Sequence, residues 1–154
     1  MKQKSKMVLM TMKNNTNYEF LPGDFSKLGV THIGKNTNFA VAVSNAKQVI
    51  LKLFRNPSDE EPEISIVLGE EYRNGDIFAV LIKGFTGQGY TYAYEADGKT
   101  FADPYSKLLS GREEFGRAEL PCRESIVRGY VSSNTYKFKN KKPAYGFDEL
   151  IIYK

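Results

Sequence analysis

The sequence is poor in the residues that most often carry chemistry: its 154 residues include no tryptophan, one cysteine and one histidine. A single cysteine, Cys122, cannot form an internal disulfide or an all-cysteine zinc site. A cysteine nucleophile needs a base, and the only histidine, His32, lies far away in the N-terminal half, just before a turn. No cluster of His, Asp or Glu has the spacing of a metal site. We therefore expect no cofactor, no metal ion and an unreactive or buried Cys122.

Long apolar runs and a strong charge of one sign are missing as well. No stretch approaches the length of a membrane span, and MVLMTM near the N-terminus is too short for a signal-peptide core. The expected location is the cytoplasm, with no membrane partner. A net charge of +4 does not by itself argue for nucleic acid, and the run KFKNKK at 137–142 is more typical of a solvated linker than of a phosphate-binding patch. We expect no nucleic-acid partner.

The sequence also shows no pair of carboxylates placed to act on one glycosidic bond. Glycoside hydrolysis needs two carboxyl groups on either side of the scissile bond. The adjacent glutamates are all in polar turn regions, and neighbours on a strand point to opposite faces. These pairs are Glu60-Glu61, Glu70-Glu71 and Glu113-Glu114. The sequence predicts no catalytic residue in this chain.

What the sequence has is alternation. Between residues 28 and 102, apolar residues recur with a period of two in six or seven short segments, separated by Gly, Asn-Gly, Asp-Gly and Pro signals. The segment TNFAVAVSN, for example, places Phe39, Val41 and Val43 on one face. Turn signals at this spacing are typical of a β-sandwich. The predicted fold class is all-β.

One hairpin, GYTYAYEADGKTFADPYSKLL at 89–109, places three tyrosines on one face of a strand. Asp97-Gly98 predicts a tight turn, and Asp103-Pro104 ends the returning strand because proline cannot donate to a ladder. Two interpretations of Tyr90, Tyr92 and Tyr94 remain open. They form a docking face of amphipathic rings, or they fill the core of the sandwich.

The tyrosine hairpin and its surroundings together resemble the N-terminal β-sandwich of pullulanases, isoamylases and glycogen debranching enzymes, members of the α-amylase superfamily. The segment LGVTHIGKNTNFAVAVSNAKQVILKLF is similar to the opening of that module. DPYSKLLSGREEFG resembles the junction that follows it, and PAYGFDELIIYK resembles the approach to the first strand of the catalytic barrel. The resemblance covers about residues 18 to 154, and the order and spacing of four pieces carry it.

The resemblance implies an immunoglobulin-like sandwich of the early-set type and a division of the chain. We expect an N-terminal tail at 1–17, the sandwich at 18–105, and a weakly patterned connector at 106–149 that packs on the sandwich or on the catalytic domain. Residues 150–154 would be an orphan strand that begins a missing (β/α)8 barrel. The catalytic residues of the superfamily lie on later barrel strands, outside this sequence.

The function implied is that of a non-catalytic accessory domain of an α-glucan-acting hydrolase, whose partners are its own catalytic barrel and, where it contacts substrate, α-glucan. Glucan-binding versions of the module resemble one another in their sugar-stacking tryptophans, which this chain lacks. Stacking would fall to other aromatic residues, and docking on the barrel to the junction. The glucan candidates are Tyr72, Phe78 and Phe101; the docking candidates are Asp103, Pro104, Tyr105 and Phe147.

Two alternatives remain open at this point. The chain could be an independent starch- or glycogen-binding module, or an unrelated immunoglobulin-like protein-interaction domain. The sequence also predicts weak glucan binding by the isolated chain, because tyrosine offers less stacking area than an indole.

Overall fold

A computed structural model describes residues 18–110, 127–132 and 139, together with the backbone of 10–12. Several of the sequence predictions concern residues outside this range. They are the docking role of Phe147, the barrel strand at 150–154, the fate of Cys122 and most of the connector.

The described chain forms eleven short strands and a single turn of 3-10 helix at Glu70–Tyr72. The strands are β1 Met10–Met12, β2 Glu19–Pro22, β3 Gly29–Ile33, β4 Asn36–Ala42, β5 Val49–Phe54, β6 Ile64–Leu68, β7 Arg73–Asn74, β8 Ile77–Lys83, β9 Thr91–Ala96, β10 Lys99–Phe101 and β11 Gly129–Tyr130. They make two antiparallel sheets. The prediction of an all-β sandwich is confirmed.

The first sheet has the order β1-β6-β5-β9-β10, and β11 pairs with β9 on the same edge as β10. β10 pairs with the second half of β9, where Phe101 lies opposite Tyr94. β11 pairs with the first half, where Gly129 lies opposite Tyr92. The second sheet has the order β2-β8-β4-β3, with β7 beside the start of β8.

The core lies between the sheets because every second residue of the central strands is apolar. In β5 the pattern gives Val49, Leu51 and Leu53, all fully buried. The facing sheet contributes Phe39 of β4, whose ring meets that of Tyr92 edge to face at 5.3 Å between centroids. Alternation on both inner faces is what an aligned sandwich requires.

The tyrosines of β9 belong to this core. Tyr92 and Tyr94 are fully buried and Tyr90 is 7% exposed. Of the two interpretations, core filling is therefore correct. The Asp97-Gly98 turn is confirmed too: both residues have positive φ, 50° and 73°, as the two central residues of a type I′ hairpin turn must.

Three strands lie outside the predicted strand region. β2 precedes it, at the start of the expected sandwich, and β11 follows it, within the expected connector. β1 falls inside the expected tail at 1–17, which is a correction, because Met10 pairs with Ile66 and Met12 with Ile64. A three-residue strand has no readable alternation, and its pairing depends on the free edge of β6. Only the folded sheet shows it.

A cavity at one end of the sandwich as the candidate functional site

A cavity of about 460 Å³ opens at the end of the sandwich where β3 turns into β4 and β8 leads to β9. Its volume is within the range of small-molecule sites in proteins. Three parts of the chain line it: the β3–β4 turn, the β8–β9 loop, and the segment after the sandwich. The lining residues are His32, Gly34, Thr86, Gln88, Gly89, Leu108, Tyr130, Val131 and Ser132.

The β8–β9 loop owes its path to Gly87. This residue has a φ of +64°, and a Cβ atom there would lie 2.3 Å from Cγ1 of Val131 and 2.8 Å from Cε1 of Phe85. Its carbonyl accepts from the amide of Tyr90 at 2.9 Å, which closes the turn. Only glycine fits both the backbone conformation and the close approach of Val131.

The segment 127–132 returns to the sandwich and completes the cavity wall. The amide of Val131 donates to the carbonyl of Tyr90 at 2.9 Å, and the amide of Tyr130 donates to the carbonyl of Leu108 at 2.8 Å. The guanidinium of Arg128 lies 3.4 Å from the ring centroid of Phe54. These contacts hold the segment against Tyr90, Leu108 and Phe54. The described part of the connector thus packs on the sandwich.

His32 lies on the cavity wall within a chain of hydrogen bonds. The hydroxyl of Thr37 donates its only hydrogen to the carbonyl of Phe85 at 2.6 Å. The 3.3 Å contact between Thr37 Oγ1 and His32 Nδ1 therefore has Nδ1–H as its donor. In the neutral ring this leaves Nε2 as an acceptor, and Nε2 is buried with no hydrogen-bond partner among the described residues.

The exit from the sandwich is organised by Asp103, which is only 3% exposed. Its carboxylate accepts from the hydroxyl of Tyr92 at 2.8 Å and from the amide of Tyr105 at 2.8 Å. Burial raises the pKa of Asp103, and the two hydrogen bonds oppose that rise. Burial, followed by the nearby Asp103 charge, raises the pKa of Tyr92 well above its usual range.

The predicted glucan-stacking residues are not in the cavity, and two of them need correction. Tyr72 is 2% exposed and Phe78 is fully buried, so their rings have no open face for a sugar. Phe78 alternates into the core from β8, and a pattern of period two cannot distinguish a core face from an exposed one. Tyr72 ends the 3-10 turn, where there is no alternation to follow. Phe101 is half-buried, with its ring stacked on Tyr94 at 6.0 Å between centroids.

The docking candidates separate into two kinds. Asp103 is buried and fixes the exit, whereas Pro104 and Tyr105 are exposed. Sequence reasoning missed the cavity itself. The sequence does contain a glycine-rich stretch, FTGQG at 85–89, and a short apolar stretch, SIVRGYVSS, around residue 129. Nothing in the sequence shows that the two meet.

Two kinds of site are absent from the described residues. Within 10–12, 18–110, 127–132 and 139, no three His, Cys, Asp or Glu side chains gather as a metal site would require. Over the same residues, no helix has the length and apolar character needed to cross a membrane.

Comparison with known proteins places this fold in a class. Residues 27–106 match carbohydrate-binding module 48, the isoamylase N-terminal domain. That match extends from just before β3 to the exit at Asp103, so the class is a carbohydrate-binding β-sandwich. The chain belongs to the family of carbohydrate-binding module 48.

The chain is also similar to individual proteins. The chain is 31% identical over 121 residues to the chloroplastic isoamylase 3 of Oryza sativa subsp. japonica, with 66% of this chain and 16% of the isoamylase covered. A pullulanase of Paenibacillus barengoltzii, solved with maltotriose, aligns with a TM-score of 0.46 and 19% identity over 56% of this chain and 13% of its own. A pullulanase of Anoxybacillus sp. LM18-11 gives 0.44 and 24%, over 55% and 12%. The chain thus spans a small part of the relatives it matches.

Proposed function

We propose that this chain is the non-catalytic accessory domain of a larger α-glucan-acting enzyme, where it packs against the catalytic barrel and contacts glucan. The observation that carries the proposal is the family match over 27–106, which covers β3 to β10 and the exit at Asp103. The chain's small share of the isoamylase it resembles, 16%, supports the presence of a much larger remainder.

The exit supplies a surface for packing on that remainder. Asp103 holds the backbone at Tyr105 through the amide hydrogen bond, so the chain leaves the sandwich in a fixed direction. Beyond it, Tyr105 is 51% exposed and Leu109 is 39% exposed. Large apolar side chains exposed beside a rigid exit are suited to burial against a neighbouring domain. We assign Pro104, Tyr105 and Leu109 to the contact with the barrel, and Asp103 to positioning them.

The proposal is tested on the purified chain with two assays. Affinity electrophoresis in gels that contain glycogen should show weak but measurable retardation, because the family binds carbohydrate and the tryptophan platforms are missing. Incubation with glycogen or pullulan should release no reducing sugar, because the sequence contains no convergent acid and base.

Each assay can contradict a different part of the proposal. Mobility identical in gels with and without glycogen would remove the glucan contact. Release of reducing sugar that a point mutation within 1–154 abolishes would show that the chain is itself an enzyme.

A further inference from the structure

We propose that the cavity between the β3–β4 turn, the β8–β9 loop and β11 is a subsite for a neutral α-linked glucose oligosaccharide. The inference rests on the proposed function for the class of ligand. It adds where on the domain the sugar binds and which residues bind it.

The first argument is charge. None of the nine described residues that line the cavity carries a carboxylate, an ammonium or a guanidinium group. In a chain with 22 Lys and Arg and 18 Asp and Glu, this is a neutral spot on a charged surface. A phosphate or an acidic peptide would find no countercharge here, whereas a neutral ligand loses nothing by that absence.

The second argument is the mixture of groups. Thr86, Gln88 and Ser132 each offer a donor and an acceptor, which is what a sugar hydroxyl needs, since it also does both. Leu108 and Tyr130 supply apolar surface beside them, and Leu108 is 52% exposed in the free protein. A pyranose ring has apolar C–H faces and a polar rim, so both kinds of contact would be used.

The third argument is the imidazole ring of His32. The ring lies on the cavity wall, and its Nδ1 is held by Thr37 Oγ1 at 3.3 Å. Nε2 is buried and out of reach of a ligand in the cavity, so the ring contributes packing surface and not a hydrogen bond. A planar ring held in place on the wall can pack against the C–H face of a pyranose.

The fourth argument is that the walls are held before any ligand arrives. Val131 is fixed by its hydrogen bond to Tyr90 and by its contact with Gly87. The β3–β4 hairpin is tied to the end of β8 by the amide of Gly84, which donates to Asn36 Oδ1 at 3.0 Å. A site built on such contacts needs little ordering on binding, which favours affinity.

The test is an NMR titration of the full chain with maltoheptaose, with amide signals followed residue by residue. We expect the largest shifts at Thr86, Gln88, Gly89 and Ser132. The turn at 43–48, at the opposite end of the sandwich, should not respond. Shifts confined to other surfaces would overturn the inference and leave the proposed function intact, whereas no shift anywhere at millimolar sugar would overturn both.

Matched variants then measure the contribution of single side chains. Gln88→Ala removes an exposed glutamine from the cavity, and Gln48→Ala removes an exposed glutamine from the opposite end. Losing one or two hydrogen bonds to the ligand should raise the Kd for maltoheptaose about two- to tenfold in Gln88→Ala, with no change in Gln48→Ala. His32→Ala should also raise the Kd, because the packing surface of the ring on the cavity wall is lost, and its amide spectrum checks that the variant keeps the native fold. Equal Kd values in all four proteins would contradict the assignment.

Discussion

The two ends of the sandwich are built in different ways. At the end away from the cavity, neighbouring strands are joined by short local turns. Asn45, in the β4–β5 connection, and Gly75, between β7 and β8, both have a φ of 62°. At the cavity end, the β8–β9 loop is shaped by Val131, a residue more than forty positions later, through a close approach to Gly87. One end depends on local sequence and the other on a long-range return of the chain.

This difference shows where a binding site can form in such a domain. A tight turn that pairs two strands directly, as Asn74-Gly75 pairs β7 with β8, leaves no gap between them. The return of residues 127–132 instead adds a third wall beside two loops, and the space between the three is the cavity. Binding surfaces commonly lie on loops that a rigid scaffold positions. Here residues 127–132 extend the sandwich and hold the β8–β9 loop in place.

The largest expected effect concerns the glycine at this contact. Gly87→Ala should lower the free energy of unfolding by about 2–4 kcal/mol, because the left-handed conformation strains alanine and its Cβ overlaps Val131. Gly34→Ala is the matched control: its φ of +62° is similar, but no atom lies within 4 Å of the added Cβ. It should lose only the conformational part, about 1–2 kcal/mol. Urea denaturation measures both, and equal losses would show that Val131 does not pack on the loop.

The next effect concerns the packing of β11 against β9, where Gly129 lies opposite Tyr92. A Cβ at Gly129 would lie 2.6 Å from Cε1 of Tyr92 and 2.5 Å from Oγ of Ser106, whereas nothing lies within 4 Å of a Cβ at Gly69. Neither glycine has positive φ, so conformational strain is the same for both. Gly129→Ala should cost about 1–3 kcal/mol by overpacking, and Gly69→Ala should have little effect in the same urea experiment. A neutral Gly129→Ala would place β11 away from Tyr92.

Two tyrosines of β9, Tyr92 and Tyr94, differ in the hydrogen bonding of their hydroxyl groups. The hydroxyl of Tyr92 donates to the buried carboxylate of Asp103, while the buried hydroxyl of Tyr94 has no partner among the described residues. Tyr92→Phe should therefore cost about 1–3 kcal/mol, since a charged acceptor loses a donor. Tyr94→Phe should be neutral or stabilising. The opposite order of the two melting temperatures would refute the assigned pairing.

The smallest expected effect is a pH dependence from Asp103. Its pKa in the folded state is raised above the ordinary value of 3.8, mainly by burial. The native state therefore holds its proton to higher pH than the unfolded state, and stability falls as pH rises through this window. The unfolding free energy of the wild type minus that of Asp103→Asn should be greatest at the acid end, fall with rising pH, and then level off. A difference that increases with pH would contradict the raised pKa.

The contrast between local turns and long-range contacts also explains how much of the fold and site could be predicted from the sequence. The all-β class, the Asp97-Gly98 turn and the family resemblance were all readable, because each depends on neighbouring residues or on their order. The choice between core and surface was not readable for Phe78, because strand alternation shows that residues share a face and does not show which face is covered. It was not readable for Tyr72 either, because this residue lies in the 3-10 turn and takes part in no alternation.

The cavity was beyond prediction for a related reason. β11 is two residues long and depends on its pairing with Tyr92 and Thr91. Its local pattern is weak, and the residue that fixes the opposing loop, Gly87, gives no sign of its partner. A site assembled by long-range pairing leaves only separate local traces, here a glycine-rich turn and a short apolar stretch. The neutral lining became visible only after the segments had been brought together.

The central claim is that residues 127–132 are an integral part of the domain and complete its binding end. Hydrogen exchange of the full chain, followed by NMR, tests it most directly through the amide of Val131, which donates to the carbonyl of Tyr90. If the claim is right, this amide is protected to within about tenfold of the Leu53 amide in β5, which lies between β6 and β9 in the first sheet, because both open only with the sandwich. Exchange at the rate of an unstructured peptide would contradict it, since the third wall of the cavity would then not be held in place.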